Sequence, residues 1–253
     1  MIFVFNKDRI KTYLVSMLTV AMLIIFSNIG NIKSIQTSSV PKYLPIYNVK
    51  TDEKKIAFTM NCAWNADDID SILETLKNNN VHITFFMVGD WVDKYPEAVK
   101  KINEAGHEIG SHSNTHPHVN KLSAEKNLEE INLSVAKNQK ITGQKTNIYR
   151  APYGEYNNTV IKTAEENGYY TIQWNLDTLD YKGLTGEQMW NRLKNKLENG
   201  AIILSHNGTK HTADSLDMLI KNIKSKGYEI ITVSQLIYKD NYIINGNGTQ
   251  IHE

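Results

Sequence analysis

The run Ser111-His112-Ser113-Asn114-Thr115-His116-Pro117 sets two imidazoles four residues apart, directly after a strand-like stretch from His107 to Ser111. Two neutral imidazoles at that spacing can grip one divalent metal from the same side. Pro117 keeps a helix from running on past His116, so the pair belongs to a turn or a helix end. A pair of polar loop residues is the ordinary alternative, and the spacing alone does not decide. Other side chains able to do chemistry follow later apolar runs: Arg150, then Asp177 and Asp180, then His206, with Asn61-Cys62 after the first run of all.

The elements that must position these residues alternate. Ile56 to Met60 reads as a buried strand, and Asp67-Asp68 reads as the cap of a helix carrying Ile69, Ile72, Leu73 and Leu76 at helical spacing. Val81 to Val88 is a second strand, followed by a helix from Pro96 to Ala105 with Gly106 as its stop. After the strand His107 to Ser111, Ser123 opens a longer helix to Thr142, ended by Gly143. Asn147 to Ala151 is a short strand, Asn158 to Asn167 a helix, Tyr169 to Leu176 a strand, Thr185 to Asn199 a helix and Ala201 to Ser205 a strand. A helix from Ala213 to Lys226, a strand from Tyr228 to Val233 and a short helix from Ser234 to Tyr238 complete the series. Regular strand-helix alternation predicts parallel strands with helical crossovers, and about seven units favour an α/β barrel, distorted or incomplete. In such a barrel all strand ends converge on one face, where barrel enzymes keep their sites. The chemistry-bearing residues fall at those ends.

Composition narrows the functions. With 28 Lys and Arg against 27 Asp and Glu, the net charge is +1, and no basic or acidic run appears, which disfavours a nucleic-acid partner. A chain of 253 residues with 41% apolar content can bury one large core, and a monomer is expected. Cys62 is the only cysteine, so no intramolecular disulfide forms. Lys7, Arg9 and Lys11 precede a nearly unbroken apolar run from Tyr13 to Ile29, the order of a secretory signal or an uncleaved membrane anchor. Residues 1–35 are therefore expected to be a signal peptide or transmembrane anchor, with the rest outside the cell membrane, or secreted if the segment is cleaved. Residues 36–51 read as an extended linker with Pro41 and Pro45, 52–240 as the folded domain, and the polar tail 241–253 as disordered.

Taken in order, His112 to Pro117, Arg150-Ala151-Pro152-Tyr153-Gly154, Asp177-Thr178-Leu179-Asp180-Tyr181 and Leu204-Ser205-His206 resemble successive motifs of the polysaccharide deacetylase family, the NodB-like carbohydrate esterases. The resemblance spans roughly Lys55 to Leu236 and is closest to cell-wall and sporulation-type deacetylases. It implies a distorted (β/α)7 barrel of the NodB kind and a divalent metal, usually zinc, with cobalt or nickel as alternatives. The implied reaction is removal of N-acetyl groups from N-acetylglucosamine-type polymers such as peptidoglycan or chitin. By that similarity His112 and His116 would be metal ligands, and the ion would polarise the acetyl carbonyl and activate its bound water. The backbone N–H of Tyr153 would face the oxyanion, with Pro152 and Gly154 shaping its turn. His206 would be the general acid that protonates the departing amine, and Asp180 beside it would favour the protonated ring. Tyr181 and Leu204, with Pro152, would line the substrate pocket; for Tyr181 and Leu204 plain core packing is the competing reading.

One motif departs from the family. Its usual first motif, Thr-Phe-Asp-Asp-Gly, supplies the general base and a metal ligand, and this chain has Thr59-Met60-Asn61-Cys62-Ala63 instead. An amide such as Asn61 can hydrogen-bond a water but cannot take its proton. Arg150, which in the family orients the base carboxylate, would face a neutral partner. Three outcomes are open. Cys62 could supply a thiolate ligand to complete a Cys-His-His site; Asp67 or Asp68 could reach back as base or ligand, against a plain capping role; or the chain could be a catalytically impaired relative that binds cell-surface glycan. A zinc peptidase is disfavoured because no Glu adjoins the His pair, and a phosphate-binding enzyme because no glycine-rich turn follows a strand. A Ser205-His206 nucleophile pair is excluded by strand geometry, which points neighbouring residues to opposite faces.

Overall fold

The computed structural model describes Lys11, residues 16–19 and residues 43–253. They divide into two compact units, 1–40 and 41–253. In the first, Lys11 and residues 16–19 are helical and exposed. The remainder of the expected signal or anchor segment, and the linker before residue 43, lie outside the described residues. Among the described residues no helix is long and apolar enough to cross a membrane.

The second unit is built around β2 (Lys55–Cys62), whose side chains alternate between two cores. Ile56, Phe58, Met60 and Cys62 pack outward under the helices, against Ile69, Ile72 and Leu76 of α1 (Ile69–Asn78) and Leu216, Leu219, Ile220 and Ile223 of α7 (Thr212–Ser225). Each such buried aliphatic chain contributes roughly 1.5–3 kcal/mol of burial free energy. Ala57 points the other way, into an inner cluster with Phe86, Ile148, Ile172 and Ile202. Thr59 and Asn61 share that inner parity, because successive strand residues face opposite sides.

Parallel strands flank β2 on both sides: β3 (Thr84–Met87), β4 (Glu108–Ser111), β5 (Ile148–Tyr149) and β6 (Tyr170–Thr171) one way, β8 (Ile202–His206) and β7 (Leu176–Asp177) the other. The order is β6-β5-β4-β3-β2-β8-β7, with β9 (Glu229–Ile231) along the first residues of β2. Between the strands run α2 (Gly89–Lys94), α3 (Pro96–Glu104), α4 (Ala124–Thr142), α5 (Asn158–Glu166) and α6 (Gly186–Leu193), with α8 (Val233–Leu236) after β9. Ser123 caps α4 by accepting the Lys126 N–H, and Gly143 ends it in the left-handed conformation at φ 72°.

The fold is the expected α/β one, a curled parallel sheet left open between β6 and β7. Two expectations need correction. The single strand expected over Tyr169 to Leu176 is two, β6 and β7, which pair with opposite edges of the sheet. The tail is not disordered: β10 (Tyr242–Ile244) and β11 (Thr249–His252) form an antiparallel hairpin, and β11 pairs in parallel with β1 (Asn48–Val49). The folded unit thus takes in the end of the expected linker and the whole of the expected tail.

Candidate active site

A cavity of about 460 Å³ opens where the strands end, lined by Asn61, Ala63, Trp64, His112, His116, Tyr153, Gly154, Trp174, Tyr181, Leu204 and His206. That volume is within the roughly 300–1,000 Å³ of ordinary small-molecule sites. The structure brings five separately predicted segments to this one rim.

His206 ends β8, and Asp180 begins a short helical turn after β7. Asp180 is fully buried, and its carboxylate accepts four hydrogen bonds: from His206 Nδ1 at 2.8 Å, Tyr181 N at 2.9 Å, His206 N at 2.6 Å and Thr212 Oγ1 at 2.7 Å. Those partners occupy both oxygens. They also fix the imidazole with Nδ1–H toward Asp180, which leaves Nε2 for the cavity.

His112 follows β4, and its Nδ1 lies 2.8 Å from the Arg150 carbonyl oxygen, an arrangement in which Nδ1–H donates and Nε2 keeps its lone pair. The His116 ring is 4.9 Å from it, centre to centre. Burial pushes both imidazoles below the usual histidine range, so both are neutral at pH 7. Two lone pairs suit a divalent cation, but a stable site needs more donors. Among the described residues no group of three or more His, Cys, Asp or Glu could hold a metal ion.

The proposed third donors lie elsewhere. Cys62 is fully buried in the outer core, on the side of β2 opposite Asn61, and burial raises its thiol pKa with Asp68 adding to the effect. A protonated thiol pointing away from the cavity is no ligand, which corrects the Cys-His-His expectation. Asp68 makes no side-chain cap on α1; its carboxylate accepts from Asn207 Nδ2 at 3.2 Å and Gly208 N at 2.7 Å, tying the β2–α1 loop to the β8–α7 loop. Asp67 is exposed and, like Asp68, does not line the cavity. Among the described residues, those named from the sequence therefore do not complete a metal site.

Arg150 is fully buried beneath the cavity. Its guanidinium donates to Thr59 Oγ1 at 2.8 Å, Asn61 Oδ1 at 3.0 Å, the Gln173 carbonyl at 3.1 Å and the Ile172 carbonyl at 3.4 Å, and it lies 4.1 Å over the Phe86 ring. Burial lowers its pKa to about 9, only partly offset by Asp177. The partner facing the cavity is an amide, as the sequence implied, and among the described residues no carboxylate receives a hydrogen bond from this cation.

Tyr153 has left-handed backbone at φ 59°, which aims the Pro152–Gly154 turn at the rim. A Cβ on Gly154 would meet Trp174 at 3.0 Å. Leu204 and Tyr181 line the cavity, whereas Pro152 is buried below it and does not. Asp177 stays outside, its carboxylate accepting the Leu179 N–H at 2.7 Å. Sequence reasoning missed Trp64 and Trp174; both stand just past a strand end, the position that marked the other site residues.

The family profile described as polysaccharide deacetylase matches residues 48–172. The uncharacterized protein YlxY of Bacillus subtilis is 36% identical over 193 residues, which are 76% of this chain but only 60% of that protein. A peptidoglycan-N-acetylglucosamine deacetylase of Bacillus cereus is 29% identical over 203 residues, 79% of this chain and 74% of that one. Among solved structures, wild-type BA3943 of Bacillus anthracis, described as a CE4 family pseudoenzyme, superposes with a TM-score of 0.74 at 31% identity, covering 83% of this chain and 73% of that one. A BA3943 mutant with restored enzymatic activity gives the same TM-score at 32% identity, covering 77% and 71%. On these likenesses, and with its motifs gathered on one rim, the chain belongs to the polysaccharide deacetylase family.

Proposed function

We propose that this protein binds N-acetylglucosamine-type cell-wall glycan in the cavity above Arg150 and, as it stands, releases acetate from it slowly or not at all. The observation that carries this reading is the Arg150–Asn61 contact: the buried guanidinium meets an amide where proton abstraction from water needs a carboxylate. Neither Cys62 nor Asp67 nor Asp68 reaches the cavity to replace it. The retained half of the machinery is the Asp180–His206 pair, which faces a cavity with no carboxylate in its lining. A divalent cation, zinc or else cobalt or nickel, would find only the His112 and His116 imidazoles here, where a stable site needs more donors. The likeness to a pseudoenzyme whose mutant regains activity favours the same reading. The extracytoplasmic location expected from the N-terminal residues suits a cell-wall ligand.

The test is acetate release from peptidoglycan and N-acetylglucosamine oligomers with added zinc, cobalt or nickel, beside a binding measurement on the same ligands. The wild type should bind and release little acetate. Asn61→Asp should release more, and His206→Ala in that background should abolish the gain. The intact Asp180–His206 pair supports the competing reading, a working metal-dependent deacetylase. Sustained wild-type release that disappears in His206→Ala would establish that reading and overturn ours.

A further inference from the structure

Three large side chains that remain exposed in the folded unit stand on the rim of the same cavity: Trp64 at 49%, Tyr153 at 60% and Tyr181 at 46% exposure. Clustered exposed aromatics mark a surface that something covers. They form two arcs. In one, the His206 ring contacts both Trp64 and Tyr181, 5.3 Å from each centre to centre. In the other, Tyr153 stacks on His118 at 4.5 Å and an interplanar angle of 17°, and His116 meets it edge-on at 4.5 Å.

The second arc is braced from behind. His118 Nδ1 is 2.7 Å from Glu155 Oε1, and the left-handed backbone of Tyr153 fixes where its ring leaves the chain. A ring held this way loses little freedom when a ligand arrives, which favours binding. The chemistry of the occupant follows from the shape. A hexopyranose carries C–H groups above and below its ring and hydroxyls around its edge, so it suits an aromatic face with polar groups at the margin.

We propose that Trp64 and the His118-backed Tyr153 are stacking platforms for two pyranose rings of one glycan strand, so that the site selects an oligosaccharide over an isolated N-acetyl sugar. This inference rests on the glycan-binding reading above and adds the residues that set chain-length preference. It needs no metal and no proton transfer. Trp64 adjoins the altered first motif, so the segment without the base carboxylate is also the one that supplies a sugar-binding surface.

The experiment is calorimetric titration of the full chain with β-1,4-linked N-acetylglucosamine oligomers from monomer to hexamer, for the wild type, Trp64→Ala, Trp64→Phe and Tyr153→Ala. Affinity of the wild type should climb with length. Trp64→Ala and Tyr153→Ala should each weaken the longer oligomers on the order of tenfold, flattening the length dependence, while Trp64→Phe keeps most of it. Both rings are exposed, so thermal melts of the alanine variants should match the wild type and exclude misfolding as the cause. If oligomers bind but both alanine variants titrate like the wild type, the platforms are wrong and the glycan-binding reading stands. If the wild type binds neither oligomers nor purified peptidoglycan, both fall.

Discussion

Asn61 and Arg150 show how one atom exchanged for another changes both chemistry and stability. A guanidinium taken out of water is costly unless an opposite charge offsets it, and Arg150 is bonded to neutral oxygens and faced by the Phe86 and Trp174 rings, with Asp177 offsetting its burial only in part. Restoring a carboxylate in Asn61→Asp should therefore raise the melting temperature at pH 7, by a stabilisation on the order of 1–3 kcal/mol. The guanidinium would hold the new carboxyl below its unfolded pKa of about 4, so the gain should persist above that pH and vanish as the pH falls through the lower folded value. An unchanged or lower melting temperature at neutral pH would show that the buried cation is already compensated. A second residue, His107, sets an acid limit. Burial, with the neighbouring His82, lowers its pKa from 6.5 to about 4. Its Nδ1 accepts the Ile83 N–H at 3.3 Å, which requires the neutral ring. The unfolded chain then binds the proton first, so the stabilisation is whole above pH 6.5 and drains away toward about 4, roughly 3 kcal/mol in all. His107→Gln should flatten that part of the stability profile; a wild-type slope in the variant would assign the acid limb to other groups, with His112 first among them.

At the scale of elements, α4 is what holds the histidine turn in its unusual shape. Ser113 and His116 both have positive φ, at 63° and 58°, a conformation that non-glycine residues adopt only when their surroundings impose it. Glu130, on the first half of α4, supplies the constraint: its carboxylate accepts Asn114 N at 2.9 Å, Thr115 N at 2.8 Å and Thr115 Oγ1 at 3.1 Å. Glu130→Ala should cost about 1–3 kcal/mol, because it strands the part-buried Asn114 N–H, whereas water can take the exposed Thr115 N–H. It should also shift the NMR signals of the His116 ring while leaving those of His206 in place, and Glu130→Gln, which keeps an acceptor oxygen, should recover most of both. Unmoved His116 signals in the alanine variant would remove Glu130 from this role. The helix itself was legible from Ser123 and Gly143, since capping chemistry is local. Glu130's task was not, because nothing near it in the chain marks which distant N–H groups it will meet. The same limit explains Asp68, whose position before α1 suggested a cap and whose carboxylate instead serves Asn207 and Gly208. The facing of Cys62 was legible in principle: Phe58, Met60 and Cys62 share one parity of β2, and Thr59 and Asn61 the other.

Across the whole molecule, the two ends of the folded unit meet and brace the arginine from behind. In Tyr242 to His252 the signal for a hairpin was present, an Asn-Gly turn between short runs of β-formers, but polar composition outweighed it in the sequence reading. What composition could not reveal was the partner, β1, some two hundred residues earlier in the chain. From β1 the connection continues: Ile46 N donates to the Thr171 carbonyl at 2.9 Å and Gln173 N to the Ile46 carbonyl at 2.7 Å, and the Gln173 carbonyl receives Arg150 Nη2. This is also where the expected strand Tyr169 to Leu176 breaks in two, leaving one edge of the sheet for the other. Gln250 locks the tail down, its fully buried amide bonding both the N–H and the carbonyl of Tyr238. Removing residues 241–253 should uncover Ile46 and Val49, each now 1% exposed, at about 1.5–3 kcal/mol apiece, besides the lost β11 ladder. The truncated chain should melt lower, and amide exchange should quicken at Ile172 and Gln173 while Ile109 and Gly110 in β4 keep their protection. Uniform loss of protection would mean that the hairpin supports the fold generally, and a melt identical to the full chain would leave it an appendage; only the local pattern places it in the bracing of Arg150.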